Sequence, residues 1–127
     1  MTVIGVGIDI IELSEVQATV LERPRMPGRV FTRSELAYCR GKARPVEHLA
    51  ARFAAKEATF KALGTGWTGR VRWHDAEVIA TAGQQPELVV RGALAKRARL
   101  LGATEFRLSL THSGNYAAAL VVISARR

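Results

Sequence analysis

Between Pro45 and Gly64 the chain contains no glycine or proline and is rich in Ala, Lys, Glu and Leu. That composition predicts one long helix, starting near Val46, around which a small chain must organise itself. Projected at 100° per residue, Leu49, Phe53 and Phe60 share a face, with Leu63 at its edge. Glu57 falls on that same face, between the two phenylalanines, flanked by Lys56 and Lys61. A carboxylate on an apolar stripe needs a partner, a metal or a proton, because burying it bare is costly. The plain alternative is an i,i+4 ion pair of Glu57 with Lys61 at the solvent edge. Gly64-Thr65-Gly66 then ends the helix and exposes backbone N–H groups.

The remaining segments supply strands and short helices. Val3 to Ile11 alternates as a strand, with Ile4, Val6, Ile8 and Ile10 on one face and Gly5, Gly7 and Asp9 on the other. Its Gly-x-Gly lacks the third glycine of a dinucleotide fingerprint. The glycine face is left open to another backbone or to a ligand; Asp9 there is either a site residue or a cap. Ser14-Glu15-Val16-Gln17 and Thr32-Arg33-Ser34-Glu35 have capping-box spacing, the second with Phe31 and Leu36 as a staple. After Gly69 the sequence predicts strands at Val71–Trp73, Glu77–Ala80 and Glu87–Arg91, then a helix from Ala93 to Leu101. A terminal hairpin follows. Phe106, Leu108, Leu110 and His112 line one face of its first strand. Its second, Tyr116 to Ile123, is apolar throughout, as expected of a strand covered on both sides.

The chain is 127 residues long with a net charge of +8, so one domain (1–127) and a polyanionic partner are expected. Arg23, Arg25, Arg29 and Arg33 belong to a basic run between residues 23 and 44, read as a docking surface or a solvated face. A nucleic-acid-binding role rests on charge alone, with no recognition motif beside it. The single cysteine, Cys39, excludes an internal disulfide framework and fits a reducing compartment. No signal-peptide pattern opens the chain and no apolar run approaches the ~20 residues of a membrane span. A cytoplasmic protein without a membrane partner is expected.

Four ordered motifs resemble one family. They are Gly5-Val6-Gly7-Ile8-Asp9-Ile10-Ile11-Glu12; Phe31-Thr32-x-x-Glu35; Arg52-Phe53-Ala54-Ala55-Lys56-Glu57-Ala58 with Lys61-Ala62-Leu63-Gly64-Thr65-Gly66; and Ser109-Leu110-Thr111-His112-Ser113 with Tyr116-Ala117-Ala118-Ala119. Together they are similar to the holo-acyl-carrier-protein synthases, the small phosphopantetheinyl transferases. The stretch from Ser14 to Val30 matches poorly.

The resemblance implies an α+β domain, a mixed or antiparallel sheet packed on a central long helix, assembled as a homotrimer with active sites at subunit interfaces. It implies transfer of phosphopantetheine from coenzyme A to a serine hydroxyl of an apo carrier protein, with adenosine 3′,5′-bisphosphate leaving. It also implies Asp9 and Glu57 as Mg²⁺ ligands, and coenzyme contacts at Arg52 and Lys56. Within that frame Lys61, one turn past Glu57, suits the attacked phosphate or the incoming hydroxyl. His112 suits a phosphate or the orientation of the nucleophile, and Gly64, Thr65 and Gly66 suit backbone donation to the coenzyme. The candidate base is Glu57 or a metal-polarised water. An acidic carrier gives Arg23, Arg25, Arg29 and Arg33 a partner to steer. The rivals are the nucleic-acid-binding domain and an oligomer that has lost catalysis; Asp9, Glu57 and Lys61 all being present argues against the second.

Overall fold

A computed structural model describes residues 1–65, 70–81 and 83–126. The chain opens with β1 (Thr2–Glu12), then α1 (Leu13–Val16) running into a π-helical turn (Gln17–Leu21). Two short helices follow, α2 (Met26–Val30) and α3 (Arg33–Arg40), and then the predicted long helix, α4 (Pro45–Leu63). A 3₁₀ turn (Trp73–Asp75) leads into β2 (Ala76–Ile79), β3 (Glu87–Val90), α5 (Gly92–Leu100) and the hairpin β4 (Glu105–Ser113) and β5 (Tyr116–Ala125).

The fold is α+β, and both of its sheets are antiparallel: three strands in the order β1-β5-β4, and the pair β2-β3. Helix α4 lies across the inner face of the larger sheet. That face carries Gly7, Ile11, Ala117, Ala119, Val121 and Ile123, all buried. The helix offers small residues in return: Ala50, Ala54, Ala55 and Ala58 are wholly enclosed. Gly5 and Gly7 explain the closeness of the contact. A Cβ on Gly5 would overlap the Ala62 carbonyl oxygen, and one on Gly7 the Ala58 carbonyl oxygen. The open strand face read from the two glycines is therefore taken by backbone.

The outer face of the same sheet has no cover among the described residues. Ile8 and Ile10 are 65% and 67% exposed, beside exposed Val6 and Leu120. The reading of Tyr116–Ile123 as covered on both faces holds for one face only. Three local expectations also change. Ser14 does not cap a helix, because α1 already begins at Leu13 and its N-cap Glu12 makes no side-chain bond. Val71–Trp73 is not a strand: Val71 and Arg72 are irregular and a 3₁₀ turn begins at Trp73, where Asp75 accepts from the Arg72 N–H and curls the chain. The helix α5 starts one residue early, at Gly92.

The second capping box forms as predicted. The Thr32 hydroxyl accepts from Glu35 N–H, and Glu35 accepts from Thr32 N–H at 2.8 Å. The same hydroxyl donates to Glu77 at 2.6 Å, which ties α3 to β2. Cys39 is buried and its thiol is pushed up to about 11, chiefly by desolvation, so it is an inert core residue.

Adding one methyl group at the β1–α4 contact tests this packing. Gly7→Ala is expected to cost about 3 kcal/mol or more, because backbone and not a flexible side chain must yield. Urea unfolding monitored by circular dichroism measures it, beside Gly28→Ala, whose Cβ would meet nothing within 4 Å.

Candidate functional site

Asp9 sits on the inner face of β1, opposite Ala119, where the strand crosses the C-terminal half of α4. Lys61 Nζ donates to Asp9 Oδ1 at 2.9 Å and to the Ile8 carbonyl at 3.1 Å. The i,i+4 pair of Glu57 with Lys61 is thus not the ion pair that forms. Glu57 is half-buried one turn before Lys61. Burial raises its pKa, the Asp9 charge raises it further, and Lys61 offsets part of this. Two carboxylates distant in sequence therefore share one electrostatic environment with one lysine. Trp73 closes the neighbouring side, stacked on Phe53 at 5.0 Å and tilted against Phe60 at 5.6 Å.

A second cluster lies at the other end of α4. His112 terminates the inner row of β4, and its Nδ1 is 3.3 Å from Glu47 Oε2. Glu47 also pairs with Arg44 at 3.1 Å. The His48 ring stands between those of His112 and Tyr38, at centroid distances of 6.1 and 6.4 Å. Burial, with Arg52, His112 and Lys42 nearby, lowers the His48 pKa. The Arg52 guanidinium lies 4.8 Å over the Tyr38 ring, and Lys42 Nζ lies 4.4 Å from the same ring centre. Arg52 is 4% exposed; one terminal nitrogen donates to the His48 carbonyl at 3.3 Å, while its buried Nε has no hydrogen-bond partner. The cleft here, of about 210 Å³, is lined by His48, Arg52, Thr111 and His112 among others. Tyr38 and His48 carry no sign of a site role in the sequence, and Lys42 is read there only as part of the basic run. The only sequence signal was the i,i+4 spacing that puts His48 and Arg52 on one side of α4.

The two clusters do not meet within one chain. Glu47 and Glu57 are ten residues apart, roughly 15 Å along the helix axis. Asp9, Glu57 and Lys61 come together toward the C-terminal end and Glu47 and His112 at the N-terminal end, with Arg52 between them, roughly 7.5 Å along the axis from Glu57.

Two expected coenzyme contacts are placed differently. Lys56 has no exposed surface; its ammonium binds Glu35 Oε1 at 2.8 Å, the Ala76 carbonyl at 2.6 Å and the Trp73 carbonyl at 3.3 Å. Burial lowers its pKa, with Glu35 opposing. Glu35 Oε2 in turn accepts from Val78 N–H at 2.9 Å. Lys56 is thus a structural strut between α4 and β2, out of reach of a ligand. Gly64, in a left-handed conformation (φ 68°), and Thr65 direct their N–H groups to the Lys61 and Phe60 carbonyls. Those donors close the helix, as a C-terminal cap does. Gly66 lies outside the described residues. Arg23, Arg25, Arg29 and Arg33 are all exposed.

The profile of the 4′-phosphopantetheinyl transferase superfamily matches residues 5–121, and the chain belongs to that family. It is 43% identical to the holo-[acyl-carrier-protein] synthase of Koribacter versatilis over 122 residues, 95% of this chain and 98% of that one. Among solved structures it resembles the holo-[acyl-carrier-protein] synthase of Neisseria meningitidis (32% identity, TM-score 0.83, covering 96% of this chain and 98% of that one). It also resembles the synthase of Bacillus anthracis in complex with CoA (3′,5′-ADP), at 33% identity and TM-score 0.79, covering 99% and 100%. The chain is a phosphopantetheinyl transferase.

The raised pKa of Glu57 makes its charge a burden on the free protein. Between the unfolded value near 4.5 and the raised folded value, the folded state binds more protons, so stability falls as pH rises through that window. Glu57→Gln is accordingly expected to hold or raise the melting temperature at pH 7, an advantage that disappears below pH ~4.5. Thermal unfolding of both proteins from pH 4 to 8, without divalent cations, reads this directly.

Proposed function

We propose that the protein transfers the 4′-phosphopantetheine arm of coenzyme A to a serine hydroxyl of an acidic apo acyl carrier protein, with Mg²⁺ at Asp9 and Glu57. The observation that carries the reading is the meeting of Asp9, Glu57 and Lys61 across the β1–α4 contact. Two carboxylates fit Mg²⁺, a hard cation that takes one or two protein carboxylates and completes its shell with phosphate oxygens and water. When bound, the ion supplies charge neutralisation for the diphosphate and its leaving phosphate.

The residues of the chain do the rest. Lys61, 54% exposed at its side chain, holds Asp9 in place and presents an ammonium to the phosphate that is attacked. The proton of the incoming hydroxyl would pass to Glu57 or to a water that the bound cation polarises. Adenosine 3′,5′-bisphosphate is the leaving group. Arg52, enclosed with an unpartnered Nε, and His112 with its neighbours offer a separate cationic pocket for another phosphate of the coenzyme.

The separation of the two clusters and the bare sheet face support a homotrimer with sites between subunits. Val6, Ile8, Ile10 and Leu120 form an apolar patch of the kind that marks an interface. Packing copies through that face covers it and lets the His112 end of one subunit approach the Asp9 end of the next. Arg23, Arg25, Arg29 and Arg33 form the surface that steers the acidic carrier. No described helix is long and apolar enough to cross a membrane, and a cytoplasmic setting suits both substrates.

Incubation with coenzyme A, Mg²⁺ and an apo carrier, followed by mass spectrometry of the carrier, tests the reaction; an unmodified carrier serine overturns it. Asp9→Asn and Glu57→Gln are each expected to remain folded and to lose about a hundredfold or more in kcat, with partial recovery at raised Mg²⁺. Near-normal turnover would remove that carboxylate from the mechanism.

Mixing tests the shared site. Glu57→Gln and His112→Ala subunits, each nearly inactive alone, are expected to regain a fraction of wild-type activity when denatured and refolded together. Mixed assemblies then contain some sites with both intact halves. Absence of any gain, in mixtures shown by native mass spectrometry to contain both subunits, would place the whole site within one chain.

A further inference from the structure

Helix α2 is anchored by one buried side chain, Val30, with Met26 packed beside the core, and its backbone is otherwise weakly held. It is five residues long, and its N-cap, Arg25, sits in a left-handed conformation (φ 67°) with no side-chain cap. Pro27 stands in its first turn, where the missing N–H costs nothing, but Gly28 lowers its helix propensity. A helix this short is unstable by itself in water. Two backbone bonds close its ends, Arg29 N–H to the Arg25 carbonyl at 3.2 Å and Phe31 N–H to the Pro27 carbonyl at 2.8 Å.

One side chain from a distant part of the chain reaches this helix's end. His74 Nε2 lies 2.8 Å from the Gly28 carbonyl oxygen and 3.0 Å from the Phe31 carbonyl oxygen. Both partners only accept, so Nε2 carries the proton and donates to both. These carbonyls mark the joint between α2 and the Thr32 cap of α3. The base of His74 is fixed. It is the middle residue of the 3₁₀ turn, between Trp73, stacked on Phe53 of α4, and Asp75, whose carboxylate accepts from Arg72 N–H and whose carbonyl accepts from Arg91 N–H at 2.8 Å. The ring itself is exposed, so it fills no core volume. Beside it, a cleft of about 470 Å³ is lined by Arg29, Val71, Arg72, Trp73 and His74.

We infer that His74 is a positioning residue for the carrier substrate. It fastens the arginine-bearing α2 to the aromatic turn that packs on the catalytic helix, and so fixes where Arg25, Arg29 and Arg33 stand relative to Glu57. This rests on the docking role proposed above for those arginines. His74 contacts neither carboxylate nor Lys61 and takes no part in the chemistry. Its loss leaves the charges in place and removes their alignment.

The test compares His74→Ala, His74→Gln and Arg29→Glu in steady-state transfer, varying apo carrier and coenzyme A separately. His74→Ala is expected to raise the carrier KM about tenfold, as for the loss of a pair of modest hydrogen bonds, with the coenzyme KM within about twofold of wild type. Gln places an amide N–H₂ close to the position of Nε2, so His74→Gln is expected to restore the carrier KM to within about twofold. Hydrogen exchange at the Arg29 and Phe31 amides is expected to quicken in His74→Ala and not in His74→Gln, while α4 is unchanged. If Arg29→Glu raises the carrier KM and His74→Ala does not, the inference is overturned and the docking reading stands. If Arg29→Glu leaves the carrier KM unchanged, the docking reading fails and the inference with it, whatever the exchange shows. Equal rises in both KM values, or slow amides in His74→Ala, also overturn it.

Discussion

The distance between β1 and α4 is set by two absent side chains. Gly5 and Gly7 let the strand backbone come to rest on the carbonyls of Ala62 and Ala58. No other residue type fits there. The consequence reaches the site directly, because Asp9 is two residues beyond Gly7 on the same strand face. With a side chain in place of either glycine the two elements would stand further apart, and Lys61 would not reach both the Ile8 carbonyl and the Asp9 carboxylate. The short contact turns three residues from two distant segments into one electrostatic unit. It also explains why α4 is so rich in alanine on that side: bulk there would undo what the glycines permit.

A second constraint holds the other side of α4. Lys56, Glu35, Thr32, Glu77 and Arg91 form a continuous polar network linking α4, α3, β2 and the strand end at Arg91. Charged groups this enclosed are tolerated only when every donor and acceptor is matched. Lys56 places all three of its protons, on Glu35 and on the Ala76 and Trp73 carbonyls. Burial alone would raise the Glu77 pKa, but its bonds from Thr32 and Arg91 hold it below the ordinary carboxylate value. Taking away one member leaves another charged and dry. The network therefore specifies how the β2–β3 pair and the Trp73 turn dock against the helix, and so how Trp73 covers the Glu57 flank.

Much of this was legible in the sequence, for identifiable reasons. The long helix announced itself by composition, and the Thr32 box by its spacing. The glycine face of β1 was read correctly as a place of close approach. What the sequence could not separate was which lysine faces a ligand. Lys56 and Lys61 both flank Glu57, and helical projection does not say which side a second sheet will cover. Lys56 turned out to be on the covered side. The N–H groups of Gly64 and Thr65 look free in a sequence, but a left-handed glycine turns them back onto the helix. The cluster of Tyr38, Lys42, His48 and Arg52 is assembled from α3, its following loop and α4, so no local pattern reveals it.

The single chain leaves two conspicuous costs unmet, one on the long helix and one on the outer face of the sheet. An arginine 4% exposed keeps an unpartnered Nε, and a row of isoleucine, valine and leucine faces water. Burying a guanidinium donor without an acceptor is expensive, and exposing a contiguous apolar strand face invites association. Both would be met from outside: the proposed coenzyme phosphate would offer Arg52 an acceptor, and the proposed second copy would cover the sheet. The features that destabilise the isolated chain are thus the ones that the proposed ligand and the proposed assembly satisfy. A +8 protein that, on the proposed function, holds a polyanionic coenzyme and an acidic carrier has reason to leave its cationic pocket unfilled until they arrive.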